Sequence, residues 1–220
     1  MDFSKTSNQS PSEDGHTPKE SVTSGNDHCI NKSRIEGDNY HGWVDCFDYI
    51  VSGGIGRISS QFAVPRNPDR FDDQHIYYFS AAMSYPVANL LVQPVLGWRL
   101  NNRSEWIMQN WIFIPGGVVA NDQSKTVTQG DLIFTLVSRA YAGNDKYFYR
   151  SYYLDGTAGI TGELTLEAGD YNNIWLVGAA LEAYNVLSCN QFPGNGIGYM
   201  DFSRLDIRYE DGKEIPWPST

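Results

Sequence analysis

The chain has 220 residues, a length that suits one domain and a tail. Its formal net charge of −10 at pH 7 argues against a general nucleic-acid binder, because phosphate backbones are bound by basic surfaces. No apolar run approaches the ~18 residues that a membrane-spanning helix needs, so no membrane partner is expected either.

The first 38 residues are rich in Ser, Asp, Lys, Gly and Asn and hold almost no large apolar side chain. Such a segment buries too little surface to offset its ordering entropy, so we expect residues 1–38 to form a disordered arm. The opening MDFSKTSNQS is polar throughout and does not resemble a signal peptide. We therefore expect a cytoplasmic protein, or a secreted one if Met1 was added to a processed form.

From residue 39 to 213 the pattern is one of short strands separated by Gly, Pro, Asn and Asp clusters, and a tail follows at 214–220. Turn signals recur about every 8–12 residues, which predicts an all-β fold: a two-sheet antiparallel β-sandwich of the jelly-roll, concanavalin-like kind. The predicted strands are Gly42–Tyr49, Gly56–Val64, His75–Ser84, Leu90–Trp98, Trp106–Ile114, Leu132–Ala140, Lys146–Leu154, Ile160–Leu166, Ile174–Tyr184 and Ile197–Tyr209.

Two apolar runs each contain one side chain that apolar burial would not select. LLVQPVLGW (Leu90–Trp98) contains Gln93, and WLVGAALEAY (Trp175–Tyr184) contains Glu182. An unpaired buried polar group costs roughly 2–7 kcal/mol, so we expect these two to face each other or a ligand. Among apolar neighbours the neutral form of Glu182 would be favoured, which suits a general acid. The alternative is a structural hydrogen bond between two central strands.

Motif order supplies a family resemblance over roughly residues 58–208. The order is VQPVLGW, then WIMQNW, then VTQGDLI, then LEAY, then FPGNG. It resembles the glutamic peptidases, or eqolisins, which are two-sheet jelly rolls in which a Gln and a Glu from neighbouring strands activate a water. Gln93 falls on the family's Gln and Glu182 on its Glu. The resemblance therefore implies a catalytic pair at these positions.

Aromatic residues supply a candidate binding surface. In the fifth predicted strand, alternation places Trp106 on one face and Trp111 with Phe113 on the other; one set should be core. The other set could line a face on which flat apolar ligands or sugars stack. The strand continues into WIFIPGG, a departure from the peptidase pattern that favours an apolar pocket.

The run KYFYRSYYLD places Tyr149 on the face opposite Phe148 and Arg150. Arg150 could bind a carboxylate or enolate oxygen, or could be a solvated side chain lying over aromatic rings. The complete predicted substrate-binding set is Trp98, Trp106, Trp111, Phe113, Tyr149, Arg150 and Tyr184.

Three functions remain open. The first is a cofactor-independent enzyme acting on a small, largely apolar metabolite in an aromatic-lined cleft. Fungal hetero-Diels–Alderases of natural-product biosynthesis are similar as small, cofactor-free jelly rolls. Here Glu182 is the acid or base, and Gln93 is a hydrogen-bond donor. The second is an acid glutamic endopeptidase using the same pair, and the third is a carbohydrate-binding, lectin-like module. The expected partner is thus a small-molecule or peptide substrate.

Other chemistry is less favoured. His41, Asp45 and Cys46 lie too close along one strand to converge on a metal, and no recognised metal or nucleophile motif occurs, so no metal is predicted. His75 is expected to be exposed rather than catalytic.

Cysteines and sequons leave alternatives. Of Cys29, Cys46 and Cys189, at least one is unpaired within a monomer; Cys46 could bridge to either of the others, or all could be reduced. Sequons at Asn8, Asn31 and Asn102 permit glycosylation.

Overall fold

The computed structural model describes residues 40–87, 89–100, 103–121, 124–155, 161–169, 174–193 and 200–215. For residues 40–49, 118–121, 155, 161, 174, 176 and 189 it describes the backbone only. The predicted arm, the three sequons and Cys29 lie outside the described residues. The side chains of Cys46 and Cys189 do as well, so the cysteine pairing stays a prediction.

Strands make up nearly all of the regular structure. They are β1 (Tyr40–Ser52), β2 (Ile55–Ala63), β3 (His75–Ser84), β4 (Leu91–Trp98), β5 (Trp106–Ile114), β6 (Gly117–Asn121), β7 (Lys125–Val127), β8 (Leu132–Gly143), β9 (Lys146–Asp155), β10 (Thr161–Gly169), β11 (Ile174–Val186) and β12 (Ser203–Tyr209). A single 3-10 turn, Cys189–Gln191, is the only helical element in these ranges. None of the described residues forms a helix that could cross a membrane.

The strands form two antiparallel sheets. The seven-stranded sheet has the order β1-β11-β3-β4-β5-β6, with β7 also pairing with β5. The five-stranded sheet has the order β10-β9-β8-β2-β12. The predicted all-β, two-sheet sandwich is therefore confirmed. All ten predicted strands occur, and two short ones, β6 and β7, were not predicted.

The last strand begins later than the sequence pattern suggested. It starts at Ser203, and Met200 to Phe202 precede it without strand structure. Met200 and Phe202 are nevertheless partly buried against the core between the sheets. Their apolar character thus reflects packing of the segment before the strand.

The core lies between the two sheets and is built from alternate residues of each strand. Large side chains such as Phe62, Tyr78 and Leu96 are almost completely buried there. Fully burying one such aliphatic or Phe side chain contributes about 1.5–3 kcal/mol, so this layer supplies most of the stability of the sandwich.

Polar contacts cross this core and fix which face of each strand points inward. Ser80 of β3 lies 3.2 Å from Ser60 and 3.0 Å from Thr135, hydroxyl to hydroxyl, and Ser60 and Thr135 are 2.6 Å apart. The Ser151 hydroxyl of β9 donates to Asn110 Oδ1 of β5 at 2.8 Å. Because successive side chains alternate between faces, the residues next to Ser80 and Asn110 point away from the core.

We predict that Thr135→Val lowers the free energy of unfolding by about 1–2 kcal/mol. The valine keeps the volume but removes the hydroxyl that both buried serines contact. Urea denaturation followed by circular dichroism measures this. Thr165→Val, the same change at an exposed position of β10, is the control and should shift stability by less than about 0.5 kcal/mol. Equal effects of the two changes would contradict a stabilising role for the hydroxyl cluster.

Candidate active site

The candidate site lies on the outer face of the seven-stranded sheet. Gln93 of β4 pairs with Trp111 of β5, and Glu182 of β11 pairs with Tyr77 of β3. Directly paired residues share a face. Trp111 follows the inward-pointing Asn110, so it points outward, and so does Gln93 beside it. The structure thus places Gln93 and Glu182 on the same outer face.

Gln93 lies in a nearly closed apolar setting. It is 2% exposed, and its Oε1 has no hydrogen-bond partner in the described part of the chain. The neighbouring indole does not supply one, since Trp111 Nε1 donates to Gln109 Oε1 at 2.9 Å. An unsatisfied buried acceptor costs about 1–3 kcal/mol, a cost that a ligand donor would remove.

Gln93 and Glu182 do not pair with each other. The β3–β4 register puts Gln93 beside Ala81 of β3, whereas Glu182 lies beside Tyr77, four residues further along that strand. Four residues span about 13 Å along a strand, and the two strand spacings between β4 and β11 add about 10 Å across the sheet. The expectation that the two residues face each other therefore does not fit this geometry.

The carboxyl of Glu182 is held towards its neutral form. Burial raises its pKa above the ordinary 4.5, and a hydrogen bond donated by the Tyr184 hydroxyl to Oε1 opposes that rise in part. Burial and the charge of Glu182 also raise the pKa of Tyr77 to about 12. The phenols of Tyr77 and Tyr184 are therefore neutral, since the pKa of each is raised. The raised pKa of the Glu182 carboxyl is the property that a general acid needs.

A row of aromatic rings connects the two polar residues. Tyr77 packs edge-to-face on Tyr184 at 5.9 Å and on Trp111 at 5.6 Å between ring centroids. Trp111 packs in the same way on Phe113 at 5.9 Å. We call Tyr77, Tyr184, Trp111 and Phe113 the aromatic row. It runs from the carboxyl of Glu182 to the strand pair that holds Gln93.

Of the predicted substrate-binding residues, Trp111, Phe113 and Tyr184 lie in the aromatic row, and the structure corrects the placement of the other four. Trp98 and Trp106 pack against each other between the sheets, with ring centroids 5.2 Å apart. Tyr149 is also in the core, where its hydroxyl donates to the Gly169 carbonyl at 2.9 Å. Arg150 is exposed on the outer face of the other sheet, over the Phe148 ring at 5.5 Å.

His75 belongs to this face, which the sequence analysis did not predict. It is half-buried and pairs with Tyr184 across β3 and β11. Burial lowers its pKa below 6.5, and the positive charge of Arg99 lowers it further; Asp73 and a hydrogen bond to the Arg99 backbone oppose this. The expectation that His75 is simply exposed is thus corrected.

Tyr77 was also missed. The alternation in HIYYFS shows that it lies on the face opposite Tyr78, but only the pairing of β3 with β11 brings it to Glu182. Within the described residues no group of three or more His, Cys, Asp or Glu side chains could hold a metal ion. The side chains of His41, Asp45 and Cys46 lie outside that part of the structure.

Comparison with known proteins finds no matching family and no matching curated protein. Among solved structures, scytalido-glutamic peptidase with a transition-state analogue inhibitor is 15% identical, with 82% of this chain and 84% of that chain covered and a TM-score of 0.44. SCP-B, an eqolisin in complex with the tripeptide Ala-Ile-His, is also 15% identical, with 81% and 83% covered and a TM-score of 0.41.

A third similar structure is the PL-14 alginate lyase of the marine Aplysia kurodai, at 10% identity, 66% and 67% coverage and a TM-score of 0.38. The predicted resemblance to glutamic peptidases is therefore confirmed as a distant one. A likeness at this level carries no inference about chemistry, which rests on the residues of the site.

We predict that Tyr184→Phe raises the pKa of Glu182 further. The hydrogen bond from Tyr184 is what lowers that pKa against the effect of burial, and phenylalanine removes it. A pH titration of the Glu182 side-chain carboxyl carbon by NMR measures the change. Tyr152→Phe, on the outer face of the other sheet, is the control and should leave the titration unchanged. A downward shift in Tyr184→Phe would contradict the assigned hydrogen bond.

We also predict that Glu182→Gln becomes relatively more stable as pH rises. A carboxyl whose folded pKa is raised contributes stability below the unfolded value of 4.5, and loses it as pH rises through the folded pKa. Between pH 4 and pH 8 the urea midpoint of the wild type should decrease relative to that of the variant. The exposed control Glu163→Gln should run parallel to the wild type, and a parallel Glu182→Gln curve would contradict the burial effect.

Proposed function

We propose that this chain is an enzyme that uses Glu182 as a general acid on a small, largely apolar molecule bound along the aromatic row. The observation that supports this most is the carboxyl itself. Burial favours its protonated form, the Tyr184 hydroxyl donates a hydrogen bond to it, and Tyr77 lies beside it. The proposal requires no cofactor, because proton transfers to and from an oriented substrate can remove water from an alcohol.

In the proposed reaction Glu182 protonates a substrate hydroxyl, which leaves as water. The carboxylate that forms is stabilised by the hydrogen bond that Tyr184 already donates. The flat faces of Tyr77 and Trp111 hold the remaining carbon skeleton. The cation left by the loss of water gives up one C–H or O–H proton to a base, which yields a neutral, reactive diene. The particular reaction we propose is a hetero-Diels–Alder cyclisation of that diene.

The role proposed for Gln93 adds to the one predicted from sequence. The amide was expected to donate a hydrogen bond, and its Oε1, an acceptor, is buried without a partner in the described part of the chain. We therefore assign it to a hydroxyl or N–H at the far end of the substrate. Because Gln93 lies several residues along the sheet from Glu182, this requires an elongated molecule that spans the aromatic row.

The test is a screen of small apolar alcohols for loss of water, followed by mass spectrometry. Glu182→Gln should lower the rate about 10²- to 10⁴-fold, the usual contribution of a general acid. The wild-type rate should fall as pH rises through the raised pKa of Glu182, because the protonated form is the active one. Glu163→Gln serves as the matched control. Turnover that Glu182→Gln leaves intact would overturn the proposal.

The alternative is an acid glutamic endopeptidase. The shared face of Gln93 and Glu182 and the free Gln93 Oε1 favour it, because an extended peptide could reach both residues. Against it, a general base must be ionised, and burial disfavours the ionised form of Glu182.

Cleavage of unfolded casein at about pH 3, below the ~4.3 reference pKa of Glu, separates the two functions. Cleavage by the wild type that is lost in Glu182→Gln would establish the peptidase and overturn the small-molecule proposal. Binding to a glycan array that survives Glu182→Gln, without any turnover, would instead indicate the lectin-like module.

A further inference from the structure

Four side chains that can carry or give up a proton form one compact block on the outer face. Glu182 pairs with Tyr77, and two residues along the same strands Tyr184 pairs with His75. In this arrangement Glu182 and His75 occupy opposite corners. Diagonal positions on neighbouring antiparallel strands are about 7–8 Å apart, a separation that leaves room for the reacting atoms of a small molecule.

One ring nitrogen of His75 has no hydrogen-bond partner among the described residues. Its Nδ1 is buried and has no hydrogen-bond partner in the described part of the chain. Since Nδ1 has no such partner, we assign the hydrogen bond of the ring to the Arg99 backbone to Nε2. A nitrogen that donates to a carbonyl carries the ring proton, so in the neutral ring the proton lies on Nε2 and Nδ1 is the basic nitrogen. The ring is held in place by stacking on Tyr77, with centroids 6.4 Å apart and planes at 22°.

The groups around His75 favour its neutral, basic form. Arg99, in the turn after β4, places a positive charge near the ring, while Asp73, in the segment before β3, places a negative one. Arg99 Nη1 lies 3.4 Å from the Asp73 carboxylate and partly neutralises its charge. Tyr77 and Tyr184, on the two strands, are neutral phenols. Burial is the largest of these effects, and it shifts the imidazole towards its neutral form.

We propose that His75 is a second catalytic residue, the base that removes a proton from the molecule to which Glu182 donates one. This inference rests on the proposed function and extends it to a class of substrate. The substrate is an alcohol with a removable C–H on the carbon next to the one that bears the hydroxyl, or on a carbon separated from that one by a C=C bond. His75 Nδ1 takes the carbon-bound proton, the C–H electron pair becomes a C=C bond, and the C–O bond breaks.

The proton of Glu182 completes the leaving water, so the site ends with an imidazolium and a carboxylate. Transfer of the imidazolium proton back to Glu182 through solvent restores both groups. Atoms and charge balance without an oxidant or a second reactant. Glu182 alone provides the acid half of this elimination, and His75 supplies the base half that the proposed function leaves unassigned.

The base can be tested without the natural substrate by Kemp elimination of 5-nitrobenzisoxazole, a flat apolar molecule whose ring opens when a base removes its C–H proton. The coloured phenolate product gives the rate. We expect the rate of the full-length protein to rise with pH with a midpoint below 6.5, and to fall at least tenfold in His75→Gln. His28→Gln, in the N-terminal segment, is the matched control and should keep the full rate.

The outcomes separate this inference from the proposed function. Loss in His75→Gln with full activity in Glu182→Gln supports the base and does not depend on the acid. Loss in Glu182→Gln with full activity in His75→Gln overturns the inference and makes Glu182 the base. Absence of catalysis by the wild type, or an unchanged rate in His75→Gln, also overturns it.

A measurement on the wild type covers the case in which His75→Gln does not fold. Diethyl pyrocarbonate acylates neutral, accessible imidazole nitrogens, and peptide mass spectrometry locates the product. We expect His75 to react in the folded protein at pH 6. A His75 that reacts only after unfolding in urea would overturn the inference, because its nitrogen would then be closed to any substrate.

Discussion

The pairing of β11 with β3 is the constraint on which the whole site depends. It brings Tyr77 to Glu182 and His75 to Tyr184, and a shift by one residue would turn all four side chains to the opposite faces. What prevents such a shift is the core on the other side of the sheet. The Ser80 hydroxyl of β3 contacts hydroxyls of the second sheet, which fixes the inward face of β3. The residues next to Ser80 must therefore point outward.

The outer face of the seven-stranded sheet is unusual because it is apolar and largely closed. Tyr77, Phe79 and Val95 are buried there although they point away from the second sheet. Leu100 contributes to the closure, since it packs where a side chain on Gly97 would lie. Glu182 consequently sits in a setting that disfavours its charge, and the Tyr184 hydroxyl compensates only in part. The same closed face favours the protonated form of Glu182 that the proposed function uses.

Alternation and turn signals predicted the strands and the sandwich, and the polar outliers Gln93 and Glu182 in apolar runs predicted the face of interest. Alternation fails where it must say which face is core: Trp106 and Trp111 lie on one strand, yet only Trp111 borders the site. The sequence did not predict that Tyr77 and His75 lie beside Glu182 and Tyr184, because this depends on the pairing register of two strands about a hundred residues apart. A single sequence does not specify that register.

Burial shifts the pKa values of Glu182 and His75 in opposite directions, and both shifts favour the neutral form of the side chain. In water a glutamate and a histidine at mildly acidic pH carry opposite charges and attract each other. On this face burial raises the pKa of the acid and lowers that of the base, so both move towards their neutral forms. A neutral acid and a neutral base are the states that can give and take a proton from an uncharged molecule. These shifts are the reason that the proposed function has an uncharged, apolar substrate rather than hydrolysis by an ionised carboxylate.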